Sequence, residues 1–423
     1  MSFAFRFAGR SRSERRLVAG SLLLALVVGL APWSGPAAAE GVAELGRVVR
    51  RVLETNPAVQ AAQADVQAAE AGRRAAGRPL YNPELEVDAE KAEADSGSVG
   101  LRQTVDWSDK RGARAQVATG ELEARRFELA DRRRRLAGEL LRALAETQTA
   151  DALLDLARRR SGLMQRFAAL AEKRRRAGDL GLSDLELARL ARTQARLAEA
   201  DAAAALVEAR QALAAVAGTD RIEWPRLPES LPEPDTTDLE TIIQALPAIR
   251  AQQARVKAAA ALVRMRARER RPDPTFGIRG GVDGSEPLIG LSLSVPLHVR
   301  NTFQAEVEQA NAERIRAEQE LADRVRRARA ALASASERYR LAREAWLLWR
   351  ESGVPSIDKQ VQLLDRVWRA GEMGTTDYLV QVDQTLATRA DALAARGRLW
   401  RSWFDWLEAS DGFADWFGWE VRP

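Results

Sequence analysis

The sequence predicts a mainly α-helical chain with a small β part, organised as two tandem repeats. Three observations predict this. Blocks of residues recur in one order about 190 positions apart. Apolar residues step by four and three along two very long stretches. Four short segments alternate apolar and polar residues with period two.

The first segment, 1–39, reads as an export signal. Arg6, Arg10, Arg12, Arg15 and Arg16 precede the apolar run Leu17 to Ala31, and Ala37-Ala38-Ala39 stands before Glu40 as a small-residue cleavage site. The run is short for a membrane span, and an uncleaved anchor is the other reading. This segment also explains the basic pI of about 9.9. The whole chain carries 65 basic and 60 acidic residues; after Ala39 the numbers are 60 and 59. That balance argues against a nucleic-acid partner. Cysteine is absent and His298 is the one histidine, so no thiolate site, disulfide framework or His-dependent triad is expected.

The repeats are predicted at 40–217 and 239–410, with a connection at 218–238 holding Pro225, Pro228, Pro232 and Pro234. Asn56-Pro57-Ala58-Val59 matches Leu246-Pro247-Ala248-Ile249, and Asn82-Pro83 matches Asp273-Pro274. Arg176-Ala177-Gly178-Asp179-Leu180-Gly181 matches Arg369-Ala370-Gly371-Glu372-Met373-Gly374, with Asp184 and Asp377 three residues on. Each repeat is expected to hold an Ala-rich helix (42–77, 239–269), two strands, a long helix (110–176, 303–369) and a returning helix (183–216, 376–408). An aromatic tail occupies 411–423.

The long helices carry a coiled-coil seam. Leu321, Val325, Ala328, Leu332, Ala335, Tyr339, Ala342, Trp346 and Trp349 hold the heptad step, as do Leu153, Leu156, Leu163, Phe167 and Leu170. A helix of about 66 residues would be roughly 100 Å long, more than a compact core needs.

In the strands, Glu84 to Glu90 alternates acid and apolar. Val99, Leu101, Val105 and Trp107 share one parity, and so do Ile289, Leu291, Leu293 and Val295. Asp283-Gly284 marks one hairpin turn and Asp95-Ser96-Gly97-Ser98 the other. Strands of about nine residues match the span of a tilted membrane barrel. Four cannot close one, so they must close with copies of the same chain. The other reading is a soluble four-stranded cap on a coiled coil. If Leu85, Val87 and Ala89 face lipid, Glu84, Glu86, Asp88, Glu90 and Asp283 line the interior, against Arg102 and Arg279.

With these features the chain resembles the TolC-type outer-membrane efflux family. Within it, Tyr81-Asn82-Pro83-Glu84-Leu85-Glu86 and Gln103-Thr104-Val105-Asp106-Trp107 with Lys110-Arg111 look most similar to the cation-efflux branch, of cobalt-zinc-cadmium resistance type. The resemblance implies a homotrimer in the outer membrane of a Gram-negative bacterium. It implies a 12-stranded β-barrel, four strands per chain, above a periplasmic α-barrel tunnel. It implies partnership with a periplasmic adaptor and an inner-membrane pump, with contact to outer-membrane lipid. Tunnel tips at Gly178, Gly181, Asp184, Gly371, Gly374 and Asp377 would dock the adaptor, with Asp383 at the aperture. Many relatives carry a lipidated N-terminal Cys; the sequence holds no cysteine, so an acyl anchor is not expected here. Ser183 and Thr375 or Thr376 are expected to cap the returning helices.

No catalytic residue, metal site or cofactor is expected: G-x-S-x-G, Walker and H-E-x-x-H patterns are missing. Gly277 to Gly284 lies in a strand hairpin rather than opening a helix, and His298 follows the last strand as a rim residue. The alternatives are a drug-efflux or type I secretion duct, a periplasmic coiled-coil adaptor, and a coiled-coil scaffold. A duplicated hairpin-plus-helix unit argues against the adaptor.

Overall fold

A computed structural model describes residues 36–91, 95–229 and 238–419. The Arg-rich and apolar parts of the expected export signal, and residues 230–237 of the expected connection, lie outside the described residues. Among the described residues ten helices and four strands follow in order: α1 (Pro36–Thr55), α2 (Pro57–Ala76), β1 (Glu84–Lys91), β2 (Asp95–Thr104), α3 (Lys110–Arg176), α4 (Leu182–Ala217), α5 (Leu239–Ala245), α6 (Pro247–Glu269), β3 (Thr275–Asp283), β4 (Glu286–Ser294), α7 (Gln304–Ser352), α8 (Val354–Arg369), α9 (Thr375–Ser410) and α10 (Phe413–Phe417). Among the described residues no helix is long and apolar enough to cross a membrane.

Each expected Ala-rich helix is two helices, because a proline pushes the residue before it out of the helical region. Asn56 stands at φ −68°, ψ 128° and Leu246 at φ −54°, ψ 131°. The first break is cross-braced. The Asn56 side chain accepts from the Ala58 N–H at 2.9 Å and donates to the Val216 carbonyl at 3.0 Å, tying the break to the end of α4.

Helix α3 runs unbroken over the expected span. Its counterpart does not: Gly353 separates α7 from α8. Pro355 has no N–H to continue the ladder, so a helix divides in this region.

The sheet is antiparallel in the order β1-β2-β3-β4. The turn expected at Asp95–Ser98 is part of β2 instead: Asp95, Ser96, Gly97 and Ser98 pair with Lys91, Glu90, Ala89 and Asp88. Small polar residues read as a turn, but here they sit opposite bulkier neighbours.

Two clusters hold the helices. The larger gathers Leu45 and Val49 of α1, Leu140, Leu141 and Leu144 of α3, Ile249 of α6, Leu332 and Tyr339 of α7, and Trp403 and Phe404 of α9. The tail closes it. Trp416 lies 5.8 Å from Phe404 and 6.1 Å from Trp403 between ring centroids, and Arg50 stacks 5.1 Å over Trp419. The aromatic tail is therefore packing. The smaller cluster lies toward the ends of the long helices, around Met164, Phe167, Ala168, Leu185, Trp368, Tyr378 and Val382. The coiled-coil seams supply both.

Candidate functional site

Strand register sorts the sheet into two faces, because side chains alternate along each strand. Leu85, Leu101, Ile278 and Leu291 lie in one row across it, and Val87, Val99, Gly280 and Ile289 in another. The large members of these rows are solvent-exposed.

The opposite face carries all five predicted acids with Arg102 and Arg279. Glu84 aligns with Arg102, Gly277 and Ser292; Glu86 with Gly100, Arg279 and Gly290; Glu90 with Ser96, Asp283 and Glu286. Glu286 is a sixth acid, missed in the sequence because it adjoins the turn. The parity of Ile289 and Leu291, counted back, places it. Arg102 bridges Glu86 at 3.2 Å and Glu84 at 3.8 Å. Among the described residues no ion pair joins Asp88, Glu90, Asp283 or Glu286. Unpaired negative charge thus collects toward the hairpin end. The glycines of this face leave room for the arginines. A Cβ at Gly277 would stand 3.0 Å from Arg102 Cγ, and one at Gly290 3.0 Å from Arg279 Cγ.

The junction between sheet and helices is built around Asp273. Its Oδ2 accepts from the Tyr81 hydroxyl and from Lys110 Nζ, each at 2.9 Å. The Asp273 side chain is 3% exposed and that of Lys110 13%. Asp273 Oδ1 is buried with no partner among the described residues. Desolvation, then the hydrogen bond to Asp273, pushes the Tyr81 hydroxyl up to about 12. Asp106 accepts from the N–H groups of Lys110 and Arg111 at 2.7 and 2.8 Å, satisfying orphan donors at the start of α3. Arg268 Nη1 donates to the Asp109 carboxylate and carbonyl at 2.6 Å. His298 pairs with the Arg270 carbonyl at 3.1 Å and meets the Phe303 ring edge-on at 4.9 Å. Tyr81, Asp106 and Lys110 stood in the sequence only as resemblance motifs. The pairing of Tyr81 and Lys110 with Asp273 was invisible because it joins positions 163 or more residues apart.

At the far ends of α3 and α8 the two Arg-Ala-Gly turns share one geometry. Gly178 has φ 82° and Gly371 φ 79°, a conformation that favours glycine. The N–H of Asp179 returns to the Arg174 carbonyl and that of Glu372 to the Val367 carbonyl, closing a Schellman motif. Gly181 and Gly374 take the place of the expected caps Ser183 and Thr375 or Thr376. Both are extended, at φ −67° and −70°, and are themselves the N-caps. One left-handed residue suffices to reverse the chain. Ser183, Thr375 and Thr376 therefore lie inside the returning helices and cap nothing. Asp184 and Asp377 sit in the first turns, where acid complements the helix dipole. Asp383 is paired with Arg160 of α3 at 2.9 Å, about two turns above Gly374. Arg174 links the tips: it binds Asp179 at 3.0 Å and stacks 5.6 Å over Trp368.

Among the described residues no group of three or more His, Asp or Glu is placed to hold a metal ion. Comparison with known proteins gives one reading. Residues 48–219 match the family model described as outer membrane efflux protein. The chain is 23% identical over 355 residues to the cobalt-zinc-cadmium resistance protein CzcC of Cupriavidus metallidurans, covering 81% of this chain and 84% of that one. Its fold matches the outer-membrane channel OprN (TM-score 0.76, 16% identity, 89% and 92% of the two chains). It also matches CusC (TM-score 0.74, 17% identity, 86% and 91%). The first half of the chain is thus similar in sequence to the outer membrane efflux protein family, and most of the chain shares the fold of these channels.

Proposed function

We propose that this chain is the outer-membrane duct of an efflux system that exports metal cations, assembled as a homotrimer. The observation that carries the reading is the sheet: one apolar face, one charged face, and free edges at β1 and β4. In lipid each unpaired backbone group costs several kcal/mol, so both edges must be covered. An all-antiparallel four-stranded unit presents β4 to the β1 of a second copy in antiparallel sense. Three copies close twelve strands, and α3, α4, α7, α8 and α9 continue below as a periplasmic tunnel. The segment 1–39 serves as the cleaved export signal.

The metal reading rests on the likeness to CzcC and on the charged face. Fixed acids in a pore favour cations. Glu84 and Glu86 share Arg102, so Asp88, Glu90, Asp283 and Glu286 carry the selectivity. The cation is cargo, passing a ring of charge rather than a built binding site. The turns at Gly178, Gly181, Asp184, Gly371, Gly374 and Asp377 meet the periplasmic adaptor, which couples the duct to an inner-membrane pump. Asp383 and Arg160 hold α9 against α3 just above them.

Blue-native electrophoresis of detergent-extracted protein is expected to show about three times the chain mass. In planar bilayers the channel is expected to prefer cations, and the preference falls when Asp88, Glu90, Asp283 and Glu286 become Asn or Gln. A stable monomer with an intact sheet overturns the duct; unchanged ion selectivity overturns the role of the acids.

A further inference from the structure

Charge is sorted along the axis of the molecule in a way that conduction does not require. Where the sheet meets the helices, the segments 73–83, 105–114, 264–274 and 295–306 hold twelve Arg and Lys against five Asp and Glu. That is a net +7, although the chain after Ala39 is +1 as a whole. The rest of the chain after Ala39 is therefore net −6.

All five collar acids are engaged within it. Asp106 caps α3, Asp109 binds Arg268, Glu269 binds Arg266, Asp273 binds Lys110, and Glu306 accepts from Asn301. The surplus cations are not engaged. Arg78, Arg111, Arg270, Arg271 and Arg300 are exposed, and among the described residues none is ion-paired.

An independent observation lies beside them. The apolar parity of β4 does not stop with the strand at Ser294 but runs through Val295 and Leu297 to Val299, directly before Arg300. Leu297 is 78% exposed and Val299 81%. The parity of β2 likewise continues through Val105 to Trp107, which is 71% exposed. An exposed indole at the end of an apolar band, with cations just beyond, is the composition of a membrane–water interface.

We infer that this collar binds the anionic phospholipid headgroups of the membrane leaflet on the helical, periplasmic side. The inference rests on the sheet being membrane-inserted. Given that, the apolar band fixes the depth of the collar. Trp107, Leu297 and Val299 sit at the acyl boundary, and the five arginines one layer out, at phosphate level. A guanidinium forks onto two phosphate oxygens, which suits Arg better than Lys for this contact. Each such cation near an anionic surface is worth roughly a fivefold gain in association. The collar then anchors the barrel at a defined height, so that the long helices reach a constant distance into the periplasm.

The test uses the full-length protein. Native mass spectrometry of the detergent-extracted oligomer, with added phosphatidylglycerol or phosphatidylcholine, is expected to show at least tenfold greater retention of the anionic lipid. The preference falls as salt is raised. Replacing all five arginines by Gln abolishes it, and replacing them by Lys keeps most of it. Should the five-Gln protein fail to assemble, Arg270→Gln with Arg271→Gln alone is expected to lower the preference several-fold. Equal retention of both lipids by the unaltered protein, or an undiminished preference in the Gln variants, overturns the inference. Flotation with pure phosphatidylcholine vesicles separates the two readings: insertion there with no anionic preference refutes only the collar, and failure to insert refutes the membrane barrel as well.

Discussion

Helix α3 runs 67 residues without interruption, whereas its counterpart in the second repeat is divided at Gly353 into 49 and 16 residues. The matched Asn82 and Asp273 differ as sharply. Asn82 is exposed, and Asp273 is buried beneath Tyr81 and Lys110. The turns, by contrast, agree to within a few degrees at Gly178 and Gly371 and at Gly181 and Gly374. The duplicated unit has kept its points of reversal, where backbone geometry leaves little choice. It has diverged where side chains meet other elements. The first repeat keeps the continuous strut, and the second supplies the buried charge that locks strut to sheet.

The largest test of this contrast is Asp273→Asn. Removing one partner of a buried ion pair typically costs about 3–5 kcal/mol, since Lys110 is left without its counter-charge. Asn82→Ala at the matched position is expected to change stability by less than about 0.5 kcal/mol. Denaturant unfolding of the two variants measures the difference. Equal effects would mean that the junction is not held by this pair.

Next in size is the strut. Gly162 occupies in α3 the position that Pro355 holds in the second repeat. Gly162→Pro removes a ladder bond and is expected to cost about 3 kcal/mol or more. Pro355→Ala is expected to be neutral or stabilising and to raise helicity measured by circular dichroism. If both variants behave alike, the break at Gly353 has another cause.

Tyr81→Phe deletes a hydrogen bond to a charged acceptor, an expected cost of about 1–2 kcal/mol. The sign of its pH dependence follows from the raised hydroxyl. The contribution is whole below about 10, the ordinary tyrosine value, and is lost as pH rises through about 12. Alkaline difference spectroscopy is expected to show late ionisation of Tyr81, and also of buried Tyr378, pushed up to about 12 chiefly by desolvation. Tyr81→Phe removes one late step. An ordinary titration for Tyr81 would refute the junction geometry.

The smallest expected stability effects are at the tips, and they separate turn from docking. Gly178→Ala and Gly371→Ala force a left-handed Cβ, at about 1–2 kcal/mol each. Gly181→Ala and Gly374→Ala are expected to cost little, because their backbone is extended and a Cβ meets the carboxylates of Asp184 and Asp377 only at 3.2 and 3.4 Å. If the adaptor docks here, bulkier residues at 181 and 374 abolish export while leaving assembly intact. Normal export from those variants would make the tips structural turns alone.

The sequence by itself determined what depends on neighbours along the chain. Period-two alternation marked the strands and separated Leu85 and Val87 from Glu84 and Glu86, since successive side chains leave a strand on opposite sides. Heptads marked the long helices, and Gly178 and Gly371 marked their ends. Local signals also misled. Ser96-Gly97-Ser98 resembled a turn, and Ser183 and Thr376 resembled caps, because residue preference does not say which glycine reverses the chain. Only the tertiary structure decided the rest. Asp273 meets Lys110 across 163 residues and Arg160 meets Asp383 across 223. The collar assembles cations from four separate segments. A charge carries no periodicity that names its partner; which charges are buried together and which remain free is set by how the repeats stack.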